Sequence, residues 1–119
     1  MSDEALLNVV ETVGSPLCVA TEDGEAVHDR VAKALRSNRS IRLSFARVET
    51  LTSAFLNASI GQLYGEFSED IIRQRLQIQD MEDEDLALVQ RVVERAKVYF
   101  SDPERFAKAQ RNVLGEDDE

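Results

Sequence analysis

The sequence predicts an α/β protein, in which a small mixed sheet of about four strands has about four helices packed against it. Two observations predict this fold class. Apolar residues repeat at every second position in some segments and at every third or fourth position in others, which indicates strands and helices respectively. The two kinds of segment also interleave along the chain, and that order is typical of a sheet covered by helices.

The first half of the chain predicts three strands and one helix. Residues 5–13 and 17–20 are apolar runs on either side of a Gly-Ser-Pro turn, which is typical of two strands. Residues 24–36 repeat apolar side chains at helical spacing behind an acidic start. Residues 41–45 alternate apolar and polar side chains, so we expect a strand with one packed face.

The second half predicts one more strand, set between helices. A helix occupies residues 52–67, and a short helix with Ser68 as its N-cap follows it. Residues 75–81 predict a brief strand that carries alternate apolar side chains inward. The acidic run that follows favours the start of a helix over residues 80–100, since carboxylates are stabilised at helix N-termini.

The length of 119 residues predicts one domain. We expect a single domain over residues 1–115 and an acidic disordered tail at residues 116–119. A last helix is predicted after Ser101, because Pro103 suits the first helical position. The chain lacks a signal peptide and an apolar run long enough to span a bilayer, and its single cysteine, Cys18, fits a reducing compartment. We therefore expect a cytoplasmic protein that does not bind membranes.

The charge distribution disfavours nucleic-acid binding. The formal net charge is −9, and the acidic runs at residues 80–85 and 116–119 account for that excess. The rest of the chain is close to neutral, whereas binding to phosphate backbones needs a concentrated basic face. The sequence has a modest cluster of arginines at positions 36, 39, 42 and 47. Such a cluster is typical of a solvated surface, and it could also bind a local anion or an acidic partner.

The chain carries no recognisable set of catalytic or metal-binding residues. It has no P-loop, G-x-G-x-x-G or C-x-x-C pattern, and His28 is the single histidine. The acidic run after residue 80 lacks the glycine and the glutamate of a calcium loop. We therefore expect a protein that is not an enzyme and needs no cofactor or metal. Gly61 and Gly65 predict close packing, either within the domain or against a second copy in a homo-oligomer.

The junction between the third strand and the following helix is the one segment that predicts a site. The hydroxyl groups of Thr50, Thr52 and Ser53 lie where they can accept hydrogen bonds from the free N–H groups of a first helical turn. The same N–H groups favour an anion, including a phosphate carried by Ser53 itself, with Arg47 as a nearby cation. The pattern favours the cap and leaves the phosphorylation switch open.

Three stretches of the sequence resemble a known family. A bacterial family of STAS-like domains of unknown function is similar to this chain in the segments TEDGEAVHDRV, IRLSFARVETLTSAFLNASIGQLYGEF and RVVERAKVYF. The resemblance covers roughly residues 14–100, and its specific part is Thr-Ser-x-Phe-Leu-Asn at residues 52–57. It implies a STAS-like fold, with helices layered on a mixed sheet, and a regulatory role exerted through protein partners.

The wider STAS fold implies a particular partner and site. Anti-sigma-factor antagonists of this fold bind histidine-kinase-like ATPases, which phosphorylate a serine at the start of a helix. In this chain Ala54 falls at that serine, so Ser53 is the candidate for phosphorylation and Thr52 is the alternative. Ser44 replaces an aspartate expected after the strand. The resemblance thus implies partner recognition around Thr52 and Ser53, and the alternative is a small-anion or nucleotide sensor at the same place. The predicted site residues are Arg47, Thr50, Thr52, Ser53 and Asn57.

Overall fold

The structure is a computed structural model that describes residues 4–101, and it confirms the α/β fold class. The strands of this part are Glu4–Asn8 (β1), Leu17–Cys18 (β2), Ser40–Ser44 (β3), Thr50–Leu51 (β4) and Leu76–Gln79 (β5). The α-helices are Val9–Val13 (α1), Thr21–Arg36 (α2), Ser53–Ser59 (α3), Glu69–Arg75 (α4) and Asp83–Ser101 (α5), and a 3₁₀ helix spans Gly61–Gly65. The helix predicted after Ser101, the domain boundary at 115 and the tail lie outside the described residues. No helix of residues 4–101 is long and apolar enough to cross a membrane.

The main sheet has three parallel strands in the order β1-β3-β5, with β3 in the centre. The short strands β2 and β4 form a second parallel pair, so all strand pairs in the described part are parallel. Connections between parallel strands of one sheet are right-handed. Because the chain moves across the sheet in one direction, from β1 to β3 to β5, both connections place their helices on the same face of the sheet. Among residues 4–101, the connecting helices therefore leave the other face without a helical layer.

Burial along the strands confirms this one-sided arrangement. Leu7 and Leu43 are neighbours in the register and are buried against the helices. Leu6 and Arg42, one position earlier on each strand, are exposed, and Leu6 keeps 70% of its surface accessible. Because successive side chains of a strand point to opposite faces, this alternation distinguishes the packed face from the open face.

The core lies between the sheet and helices α2, α3 and α5. Helix α2 contributes Val27, Val31 and Leu35, at the spacing that the sequence predicts. Phe55 and Leu56 of α3 are completely buried. Burial of a side chain of this size contributes about 1.5–3 kcal/mol, so the first turn of α3 is held firmly by its apolar residues.

Two predicted elements are wrong in their extent. The strand predicted over residues 5–13 ends at Asn8, because the Asn8 side chain accepts a hydrogen bond from Glu11 N–H at 2.8 Å and caps α1. The helix predicted over residues 52–67 stops being α-helical at Ser59, whose hydroxyl donates to the Phe55 carbonyl at 2.9 Å. The 3₁₀ helix then continues the chain.

Close packing explains the glycines of this region. A Cβ added at Gly65 would lie 2.5 Å from the Phe100 ring of α5, and one at Gly61 would lie 2.7 Å from the Asn57 Oδ1 of α3. Both glycines therefore pack within the domain, which was one of the two outcomes predicted. Gly24 of α2 also permits a close approach, since its Cβ would lie 2.6 Å from the Phe55 carbonyl oxygen.

Candidate functional site

Thr52 is the N-cap of helix α3. Its backbone is extended, and its hydroxyl accepts a hydrogen bond from Phe55 N–H at 3.2 Å. The same hydroxyl donates to the Val19 carbonyl at 3.1 Å. Donor and acceptor are thus both engaged, which confirms that the Thr-Ser start contains a cap.

Ser53 lies next to the cap as the first residue of α3. Its side chain is exposed, and within residues 4–101 its hydroxyl makes no hydrogen bond. Ala54 is exposed as well, whereas Phe55 and Leu56 are completely buried. An enzyme that approached this turn would therefore meet the Ser53 hydroxyl, while the Thr52 hydroxyl is held by its two bonds.

Apolar side chains are exposed beside this turn. Leu17 of β2 keeps 49% of its surface accessible, and Val19, directly after the strand, keeps 42%. Thr50 of β4 is also exposed and pairs with Leu17 in the parallel register. We use the name junction surface for the exposed residues at this place, which are Leu17, Val19, Thr50, Ser53 and Ala54.

Asn57 extends the junction surface by one turn of α3. It is exposed and lies between two shallow depressions, which share Asn57 and Gln62. The first has a volume of about 270 Å³ and reaches Thr21 and Glu25 of α2. The second has a volume of about 340 Å³ and reaches Arg95 and other residues of α5. The surface at α3 is thus open on both sides rather than enclosed.

Arg47 is placed differently from the other predicted site residues. It is exposed in the turn after β3, with a positive φ of 67°. Neither Arg47 nor Thr50, Thr52 and Ser53 lines the two depressions beside Asn57. These two depressions are therefore not lined by the other residues predicted for a small-anion or nucleotide sensor, and the sensor stays a prediction.

The comparison with protein families identifies the fold. A family model described as STAS-like domain of unknown function (DUF4325) matches residues 23–86, from the first turn of α2 to the first turn of α5. The chain belongs to this family. The match is narrower than the resemblance over residues 14–100, but it includes Thr52, Ser53 and Asn57. No curated protein and no solved structure matches the chain.

A carboxylate at the end of the STAS-like sheet was missed from the sequence. Ser44 stands where the STAS-like resemblance places an aspartate after the strand. The Ser44 hydroxyl instead donates to the Asp80 carboxylate at 2.7 Å. Asp80 follows β5, whose Gln79 pairs with Ser44, so the register of β3 and β5 was the signal needed to find it. A carboxylate from the neighbouring strand's end therefore lies beside the serine.

Cys18 and His28, the chain's single cysteine and single histidine, differ in their surroundings. Burial, with a smaller contribution from Asp23, raises the pKa of the Cys18 thiol to about 11, which disfavours the nucleophilic thiolate. His28 places its Nε2 3.0 Å from a carboxylate oxygen of Glu66 and its Nδ1 3.3 Å from Asp29. Within residues 4–101, no cluster of three or more His, Cys, Asp or Glu side chains could hold a metal ion.

Proposed function

We propose that this STAS-like domain is a non-enzymatic regulatory module that binds a protein partner through the junction surface. The observation that carries the proposal is the pair of exposed apolar side chains, Leu17 and Val19, next to an uncommitted serine hydroxyl. Exposed apolar side chains that cluster on a surface favour contact with a partner. The partner class that the STAS-like resemblance implies is a histidine-kinase-like ATPase or a serine kinase.

Ser53 is proposed as the residue through which the partner regulates the domain. A phosphoryl group adds roughly 1.5 to 2 negative charges, and it would lie beside Val19 and Ala54. Strongly hydrated charge next to an apolar contact weakens that contact, because the charge loses water when the partner binds. Phosphorylation at Ser53 is therefore expected to release the partner. The proposed compartment is the cytoplasm, which the buried free thiol of Cys18 supports.

A capture experiment with paired variants tests the proposed surface. The full chain is immobilised, exposed to lysate of its source organism, and the retained proteins are identified by mass spectrometry. Val19→Asp removes apolar area from the junction surface, and Ile71→Asp is the matched control, since Ile71 of α4 keeps 38% of its surface accessible. We expect a protein that the wild type and Ile71→Asp retain and Val19→Asp loses. Identical retention by all three forms would contradict the proposed surface.

A second experiment tests the role of Ser53. The retained protein is purified and incubated with the domain, magnesium and ATP, and the site of phosphate incorporation is mapped by mass spectrometry. We expect phosphate at Ser53, none in Ser53→Ala, and weaker capture by Ser53→Glu than by Ser53→Ala. Phosphate at another residue, or equal capture by the two variants, would leave the surface standing and contradict the switch.

A further inference from the structure

The outer edge of β1 carries a groove that the junction surface does not use. Among the described strands, β1 pairs only with β3, so its other edge has no strand beside it. A depression of about 270 Å³ is lined there by Ala5, Leu6 and Leu7. The depression also reaches Ala34 of α2 and Ile41 of the central strand, so it lies where helix α2 meets the sheet beside β1.

The opposite wall of this groove is basic. Helix α2 contributes Arg30 and Lys33, and the turn after the helix contributes Arg39. Arg30 and Lys33 are exposed and form no ion pair with residues 4–101. Arg36, on the same helix, is different, because it lies 3.5 Å from Glu66 and is paired there. Basic side chains therefore lie beside a strand edge that no other described strand pairs with, in a chain whose net charge is −9.

The positive charge beside the β1 edge favours an acidic segment over a second copy of β1 as the strand that binds there. Lys33 lies in the last turn of α2, where a cation also complements the helix dipole, but Arg30 lies before that turn. A second copy of β1 that paired edge to edge would bring a second basic wall to the first, and like charges would repel. An extended segment with acidic side chains would be attracted by the wall while its backbone completed the sheet.

We propose that the β1 edge binds an extended acidic segment of a partner protein as an additional strand. The segment's backbone pairs with the outward N–H and C=O groups of residues 5–7, and its carboxylates pair with Arg30 and Lys33. This β1-edge groove is separate from the junction surface on α3, so the two sites are tested independently.

The test uses a labelled peptide and the full chain. The probe is fluorescein-labelled (Glu-Val)₄, and the controls are (Lys-Val)₄ and an (Glu-Val)₄ peptide N-methylated at every second residue, which blocks strand pairing. Binding is followed by fluorescence anisotropy at low salt. We expect (Glu-Val)₄ to bind and both controls to fail. Equal binding by the N-methylated peptide would overturn the strand addition.

Two charge-reversed variants locate the site. Arg30→Glu with Lys33→Glu is expected to weaken binding by about tenfold or more, since two exposed ion pairs are lost and replaced by repulsion. Arg91→Glu with Arg95→Glu makes the same charge change on the exposed face of α5 and is expected to leave binding unchanged. Equal effects of both variants would overturn the proposal, as would no binding of (Glu-Val)₄ to the wild type.

The chain's own acidic tail is the competing occupant. If residues 116–119 held the edge, Asp117→Asn with Asp118→Asn would raise the affinity for (Glu-Val)₄, and the assignment to a partner would be wrong. We expect the affinity to stay the same. Amide chemical shifts report the location directly, and we expect (Glu-Val)₄ to perturb Leu6 more than Ser53.

Discussion

The hydroxyl of Thr52 donates a hydrogen bond to the carbonyl of Val19 at 3.1 Å and so ties the start of α3 to the end of β2. One side chain therefore performs two tasks, because it also accepts from Phe55 N–H. The bond places Val19, with its exposed side chain, next to the turn that carries Ser53. Thr52 is thus a positioning residue for the junction surface.

Loss of the Thr52 hydroxyl is expected to destabilise the protein. Thr52→Ala removes the cap, which costs about 1 kcal/mol, and it removes the bond to Val19, which costs about another 1 kcal/mol. Thr52→Ser keeps both bonds and is expected to lose less than half as much. Urea unfolding followed by circular dichroism measures both variants. Equal destabilisation by the two substitutions would contradict the assigned role of the hydroxyl.

Gly24→Ala is expected to destabilise the protein although alanine favours helices. The propensity gain is about 1 kcal/mol, but the new Cβ would lie 2.6 Å from the Phe55 carbonyl oxygen and 2.9 Å from the Ala58 Cβ. Separating α2 from α3 costs about 1–3 kcal/mol as overpacking, and more where backbone must move. We therefore expect a lower midpoint in thermal unfolding.

Gly65→Ala is the matched control for that prediction. The nearest atoms to its new Cβ belong to the Phe100 ring, which is only partly buried and lies near the end of α5. A ring in that place shifts more readily than backbone. We expect a smaller loss of stability than for Gly24→Ala, and the reverse order would show that α2 and α3 separate easily.

Cys18 is expected to react slowly in the folded protein. Its side chain is completely buried, and burial raises the pKa of its thiol to about 11, so little thiolate forms near neutral pH. Iodoacetamide labelling near pH 8, read by mass spectrometry, is expected to be slow for the native chain and fast in urea. Comparable rates in both conditions would show that β2 opens readily.

The pair of Glu69 and Lys97 predicts a dependence of stability on pH. Their 2.7 Å hydrogen bond lowers the pKa of Glu69 from its ordinary 4.5 and raises the pKa of Lys97 from its ordinary 10.5. The stabilisation by Glu69 is present above pH 4.5, the ordinary pKa of the group, and it is lost as the pH falls through the lower pKa of the folded state. The stabilisation by Lys97 is present below pH 10.5, the ordinary pKa of the group, and it is lost as the pH rises through the higher pKa of the folded state.

The variant Lys97→Met tests this pair. Both side chains are largely in water, so the expected loss of stability near neutral pH is small and decreases with added salt. At a pH below the folded pKa of Glu69 the pair no longer contributes, so the difference in unfolding free energy between the variant and the wild type is expected to vanish. Urea midpoints across pH measure it, with Lys33→Met as the control. A difference independent of pH would assign the effect to packing of the lysine stem.

Local signals in the sequence predicted the elements that depend on local patterns. The helical repeat of Val27 and Val31 and the Ser68 cap are set by neighbours along the chain, and both are found in the structure. The strand predicted through residue 13 failed because an apolar run fits a strand or a helix, and the deciding contact was the cap made by Asn8. Periodicity alone does not distinguish these outcomes.

The site was predicted only in part, for a similar reason. The cap at Thr52 follows from its position before a helix, and it was expected. The contact with Val19 and the pairing of Ser44 with Asp80 join segments that are distant in sequence, and both depend on strand register. Register is set by the tertiary fold, and it could not be derived from the chain pattern.

The parallel order of the sheet has a consequence for the folding reaction. Each strand pair of β3 joins segments separated by at least one helix, so closing the sheet requires long loops to form first. Chains with such nonlocal pairing fold more slowly than helical chains of equal size. The amides of β3, bonded on both sides, exchange with solvent only when the whole sheet opens, and their exchange rates report the global unfolding equilibrium.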